Sequence, residues 1–194
     1  MSALLESNKL DPKKDVRWLT VRSGADRFRT LVIGRLDASV VAIGDSIMLK
    51  KYPNLKVLAY NLPSYLFNVI ATFDDFLEKN QAQVLAVTRG LVKATRDLMA
   101  DKELYLKAVS KGMQLDYSKE DLANLWKTLV EVRHFGPNGG MSEKRAQATI
   151  DFYYRYINPD AKRANVQEVY AWSPIKQALK EIGIVNASWD PVDY

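Results

Sequence analysis

The sequence predicts an α/β fold in which a small βαβ-type lobe is followed by a helix-rich half. Three observations carry that prediction. Val16–Ser46 (VRWLTVRSGADRFRTLVIGRLDASVVAIGDS) reads as strand, capped helix, strand and a sharp exit at Gly44-Asp45-Ser46. Two apolar strands joined through a helix demand a parallel pairing with a right-handed crossover. Sheet-forming sequence then stops near residue 72, and beyond it apolar residues recur at helical spacing.

Taken in order, Ser2–Asn8 is weakly helical and is ended by Leu10-Asp11-Pro12, because the residue before proline avoids the helical region. Val16–Val21 alternates as a strand. Ser23-Gly24-Ala25-Asp26 matches a capping box, with Phe28, Leu31 and Val32 on one helical face and Gly34 as the left-handed closing residue. Leu36–Ile43 is the near-continuous apolar run of a buried parallel strand. Ile47–Lys51 is a short helix stopped by Tyr52-Pro53, and Leu55–Tyr60 and Leu66–Thr72 are a third and a fourth strand.

From Phe73 the chain turns helical. Thr72 and Asp75 match a capping signature, and Leu77, Val84, Val87, Leu91 and Leu98 form an inward stripe. Tyr105–Val109 continues as a shorter helix to Lys111-Gly112. Ser118 with Asp121 opens a helix whose stripe is Leu122, Leu125, Trp126, Leu129 and Val130. His134-Phe135-Gly136-Pro137-Asn138-Gly139-Gly140 is a break. Ser142 starts a helix with Ala146, Thr149, Ile150, Tyr153 and Ile157 inward, and Ser173-Pro174 is an N-cap followed by proline at the first helical position. Asn186–Tyr194 reads as a loosely attached tail. Each buried Leu, Val or Phe is worth about 1.5–3 kcal/mol, so helical stripes of this extent require a cover. A long helical run after a short mixed sheet implies a further sheet to provide it.

Composition narrows the chemistry. The chain has 194 residues, 47% of them apolar and 26% charged, which is ordinary for a globular protein. There is no cysteine, so disulfides, thiolate metal sites and cysteine nucleophiles are excluded. A balance of 28 Lys and Arg against 23 Asp and Glu gives a net charge of +5, mild and interspersed. No basic cluster interleaved with aromatics points to nucleic acid. No apolar run is long enough to span a bilayer, and the first residues carry no secretory-signal pattern. No cofactor or metal is expected. His134 is the single histidine and reads as a helix-end cap against the dipole rather than a catalytic group. The Gly136–Gly140 loop lacks the Lys-Ser or Lys-Thr of a P-loop, and its proline removes a donor, so it reads as a turn. Tyr153, Tyr154, Tyr156 and Trp126 read as core aromatics.

In open α/β sheets ligands sit outside the carboxyl ends of the strands. That edge here carries Arg22-Ser23-Gly24 and Gly44-Asp45-Ser46, and the expectation is a ligand-binding cleft rather than a catalytic one. Asp45 and Ser46 serve equally well as caps of the helix at Ile47.

The pattern Leu31-x-x-Gly34-x-x-Asp37-Ala38 followed by an apolar strand resembles a segment of the type II solute-binding proteins of ABC transporters, closest to the nitrate, sulfonate, taurine and thiamine-pyrimidine-precursor group. Leu66–Leu98 is similar to that family's return strand and following helix, and Ser173-Pro174-Ile175-x-x-Ala178-Leu179-x-x-x-Gly183 to its closing helix. The likeness spans nearly all of residues 4–184. It implies a partial type II periplasmic-binding-protein fold lacking its N-terminal portion: residues 1–62 the remainder of the second lobe, 63–185 the helical return half of the first, and 186–194 a tail. It also implies an extracytoplasmic location, an ABC permease as partner, and a small organic or anionic solute held between two lobes. Gly44, Asp45, Ser46, Asn61, Ser64 and Tyr65 would face that ligand. Gly44 would permit close backbone approach, Ser46 would donate, and Tyr65 would stack on a flat ligand; Asp45 favours a ligand that carries a donor group. Uncovered helices imply self-association. The alternative is a thiamine-pyrimidine-synthase-like enzyme of the same fold, which zero cysteines and one histidine disfavour.

Overall fold

The computed structural model describes residues 1–59, 69–112 and 117–193. Among these, 55% are helical and none belongs to a strand or sheet, which overturns the α/β expectation and its βαβ lobe. The chain divides into two compact units, Met1–Asn61 and Leu62–Tyr194.

The first unit holds α1 (Ser2–Ser7), α2 (Gly24–Val32), α3 (Asp45–Met48) and a 3-10 turn at Leu49–Lys51. Its local signals work as the sequence implies. The Ser23 hydroxyl accepts from the Asp26 amide at 3.0 Å and donates to the Asp26 carboxylate at 2.7 Å, where a capping box would have that carboxylate accept from the Ser23 amide. Gly34 closes α2 at φ +72°, and the Arg35 amide reaches back to the Thr30 carbonyl at 3.0 Å. The expected strands do not form. Residues 16–22, 36–43 and 55–59 carry no ladder, and Trp18, Leu19, Val40, Val57 and Leu58 are exposed, Leu58 by 84%. An apolar run becomes a strand only when a neighbour takes up its amides and carbonyls and a cover takes up its side chains. Neither is present among the described residues of this unit, none of which is buried.

The second unit is a helical assembly of α4 (Asp74–Lys79), α5 (Gln81–Ala100), α6 (Lys102–Gly112), α7 (Lys119–Glu131), α8 (Glu143–Tyr156), α9 (Val166–Val169) and α10 (Ser173–Ile182). Residues 69–72 of the expected fourth strand are irregular, its first three residues lie outside the described ones, and α4 is led in by Phe73 with no side-chain cap from Thr72. α5 is the spine: α10, α6, α7 and α4 all pack against it. Val92 of α5 meets Ile175 and Leu179 of α10 in one core cluster. Ala146 and Ile150 of α8 meet Val166 of α9 and Trp172 in another. Helix-on-helix burial therefore supplies much of the cover for which a sheet was expected. The α5 stripe is rotated from the sequence expectation: Val92 is buried while Val87 and Leu91 face solvent. The α7 stripe holds at Leu122 and Leu129 but leaves Val130 exposed, and α8 buries Ala146 and Ile150 but not Tyr153 or Ile157. Ser118–Asp121 forms the full capping box, and Ser142 caps α8. α10 starts one residue earlier than expected, with Trp172 at its cap and proline in its first turn. Arg89 on α5 pairs with Glu181 on α10, fixing their register.

Candidate functional site

The densest polar construction lies in the second unit, where the Gly136–Gly140 loop meets residues 184–193. Three polar residues are buried there: Ser142, Asn138 at 2% exposure and Asp190 at 1%. The Asn138 amide nitrogen donates to Asp190 Oδ2 at 2.6 Å. Its side-chain Nδ2 donates to the Val185 and Asp190 carbonyls at 2.9 and 3.0 Å, and its Oδ1 accepts from the Val185 amide at 2.9 Å. Asn138 is thus used nearly to its full hydrogen-bonding capacity.

Two guanidinium groups brace the loop. Arg96 of α5 donates to the carbonyls of Pro137, Ile182 and Gly183 at 2.6, 3.2 and 2.8 Å. Arg145 of α8 donates to the carbonyls of Gly140 and Trp189 at 3.0 and 2.8 Å, and its Nη1 lies 3.8 Å from Asp190 Oδ1. The glycines are required by the geometry. A Cβ on Gly136 would fall inside the Asp190 carboxylate, and one on Gly139 would stand 2.8 Å from Ile175 Cδ1 at a φ of +92°. Burial pushes the Asp190 carboxyl above the ordinary carboxylate range, while the Asn138 and Gly140 amides, Arg145 and Arg96 pull the other way. The tail expected to hang loosely is therefore docked.

Two shallow grooves share Arg163 on the same unit. One, of about 470 Å³, is lined by Gln147, Lys162, Arg163, Ala164, Asn165 and Glu168; the other, of about 400 Å³, by Asp151, Tyr154, Arg155, Pro159, Ala161 and Arg163. Their polar groups are largely committed to one another. Arg163 pairs with Asp151, Asn165 and Glu168 form the capping box of α9, and the Tyr154 hydroxyl binds the Lys162 carbonyl and the Ala164 amide.

Of the residues expected to face a ligand, Gly44, Asp45 and the backbone of Ser46 lie among the described residues. Gly44 stands at a turn with open space around it. The Asp45 carboxylate accepts from the Ala42 amide at 3.2 Å, which ties the turn ahead of α3. Asn61, Ser64, Tyr65 and the Ser46 side chain lie outside the described residues. His134 stands exposed just past the end of α7, edge-on to the Phe135 ring at 4.6 Å, and partial desolvation lowers its pKa. Arg133, at φ +52°, turns the chain out of α7. Among the described residues no group of three His, Asp or Glu side chains is placed to hold a metal ion.

Sequence reasoning missed Arg96, Arg145 and Asp190. The available signal was the loop itself, since a buried Asn between glycines needs acceptors and donors from elsewhere in the chain. No known protein family, curated protein or solved structure matches this chain.

Proposed function

We propose that the chain is a solute-binding component of an ABC-type uptake system, taking a nitrate-, sulfonate- or taurine-like anion or a pyrimidine-like ligand and passing it to a permease outside the cytoplasm. The observation that carries this reading is the order and spacing of three motifs along residues 4–184, namely Leu31-x-x-Gly34-x-x-Asp37-Ala38, the Leu66–Leu98 stretch, and Ser173–Gly183. Gly34 gives the first motif a physical basis, because its positive φ closes α2 where a residue with a Cβ would be strained. Asp45 sets the ligand preference. Its carboxylate beside Gly44 disfavours a bare anion and favours a ligand that presents a donor, such as an amine or aminopyrimidine.

The test is a calorimetric and thermal-shift titration of the full chain against nitrate, taurine, a simple alkanesulfonate and an aminopyrimidine. One of these stabilises the protein saturably, and Asp45→Ala and Tyr65→Ala weaken that effect. Absence of a saturable response to all four overturns the proposal. Consumption of a vitamin-B6 phosphate with release of a pyrimidine would replace it with the enzymatic reading.

A further inference from the structure

After α10 the chain turns at Gly183, φ +80°, and residues 184–193 run back over the Gly136–Gly140 loop without forming a helix or strand. Within this segment Asp190 precedes Pro191, so a side-chain carboxylate stands next to a tertiary amide whose nitrogen carries no hydrogen. The chain has one other such pair, Asp11-Pro12 in the first unit. There both carboxylate oxygens are engaged: Asp11 Oδ1 accepts from the Lys13 amide at 2.9 Å, and Oδ2 lies 3.6 Å from the Lys14 ammonium.

Asp190 is held differently. Asn138 grips it twice, its backbone amide donating to Oδ2 at 2.6 Å and its side-chain Nδ2 to the Asp190 backbone carbonyl at 3.0 Å, both in a buried place. Oδ1 is buried as well and accepts no hydrogen bond among the described residues. The Gly140 amide and the Arg145 guanidinium, with Nη1 at 3.8 Å, stand near enough to favour its negative charge without binding it. An oxygen with nucleophilic character is therefore fixed beside a carbonyl whose own oxygen already faces a donor. Pro191 is exposed, so the other side of the same peptide bond meets water.

We propose that Asp190–Pro191 is a self-cleaving bond. Oδ1 attacks the Asp190 carbonyl carbon, a bond forms between them, and the carbonyl oxygen takes up the negative charge against Asn138 Nδ2. The carbonyl then re-forms and the bond to the Pro191 nitrogen breaks. That nitrogen leaves as a secondary ammonium, taking two protons from solvent, and Asp190 is left as a cyclic anhydride. One water opens the anhydride to two carboxylates and returns two protons, so the sum is hydrolysis of a single peptide bond. Asn138 is the catalytic residue, since it touches the reacting carbonyl. Cleavage releases Pro191–Tyr194, and with it the packing of Val192 on the Val92–Ile175–Leu179 cluster and the bond from the Glu143 amide to the Asp193 carboxylate at 2.7 Å.

The experiment is intact-mass analysis over time of the full chain at about pH 5, above the ordinary aspartate pKa, once folded and once in urea. Circular dichroism follows the fold in the first sample. The folded chain loses Pro191–Tyr194 about tenfold faster than it breaks at Asp11–Pro12, and in urea the two rates converge. Asp190→Asn keeps an oxygen for the Asn138 amide but has no carboxylate, and the loss stops. Asn138→Ala brings the rate down to that of Asp11–Pro12. A folded chain that keeps Pro191–Tyr194, or breaks no faster there than at Asp11–Pro12, overturns the proposal. So does a preference that survives urea, or a loss that continues in Asp190→Asn. Should either variant fail to fold, the comparison of folded and urea-treated wild type decides the matter alone.

Discussion

Asn138 ties the Gly136–Gly140 loop to residues 185 and 190 through both its backbone and its side chain. Replacing it with alanine leaves the Asp190 carbonyl without its partner in a buried place and the Val185 amide and carbonyl without theirs in a partly buried one. The expected cost is about 2–4 kcal/mol, read as a lower denaturation midpoint. Asn138→Asp sets a second carboxylate beside Asp190 and destabilises more at neutral pH than in acid. His134 predicts the opposite pH trend. Its folded pKa is lowered, so the unfolded chain takes up the proton first, and this contribution to stability is lost as pH falls below the ordinary histidine value through the lowered one. Acid titration of His134→Gln, followed by the denaturation midpoint, is expected to lack that part of the loss. At this scale the sequence was readable for the caps at Ser23, Ser118 and Ser142, whose partners are three positions away, although the same spacing suggested a cap at Thr72 that does not form and the Asn165–Glu168 box was passed over. It was not readable for Arg96, Arg145 and Asp190, whose long-range partners lie 41 to 87 positions along the chain.

Helices were largely legible because caps and breakers are local, and faces less so. On α5 the apolar series Val84, Val87, Leu91 and Leu98 is shadowed one position later by Leu85, Val92 and Met99, so that periodicity alone permits two stripes. Tertiary contact with α10 chooses between them, because the Arg89–Glu181 pair and the Val92–Leu179 packing lie on the same side. Leu179→Ala is therefore expected to cost about 2–5 kcal/mol, and Val87→Ala to change stability by no more than about 0.5 kcal/mol. Matched denaturation curves measure both. Ser118→Ala, which breaks a complete capping box, belongs between them at about 1 kcal/mol. The strands were misread for the complementary reason. Alternation and apolar runs report a capacity to pair, and pairing requires a partner that no local pattern specifies.

Across the whole molecule, burial is uneven. Every fully buried side chain among the described residues lies between Val92 and Asp190, while those of residues 1–59 are at most partly covered. A single cooperative transition is therefore not expected. Hydrogen exchange is expected to show weak protection in α1 and α2 and strong protection in α5, α7 and α10, in two separate steps as denaturant is raised. One merged transition would contradict this division. The sequence does register the imbalance, since apolar stripes outnumber what the expected sheet could cover. What it could not register is that α5 would resolve part of the excess by gathering α6, α7 and α10 around itself. No described helix is long and apolar enough to cross a membrane.

The enclosure of Asn138 also governs how the protein ages. Asn-Gly is the dipeptide most prone to lose ammonia, because the glycine nitrogen can attack the asparagine carbonyl with no side chain in its way. Here Gly139 donates that nitrogen's hydrogen to the Gly136 carbonyl at 3.2 Å, and both ends of the Asn138 amide are held. Ring closure must wait until the loop opens. Slow accumulation of aspartate and isoaspartate at position 138 during storage, read together by mass spectrometry, would count those openings and make a chemical clock of a hydrogen-bonded turn.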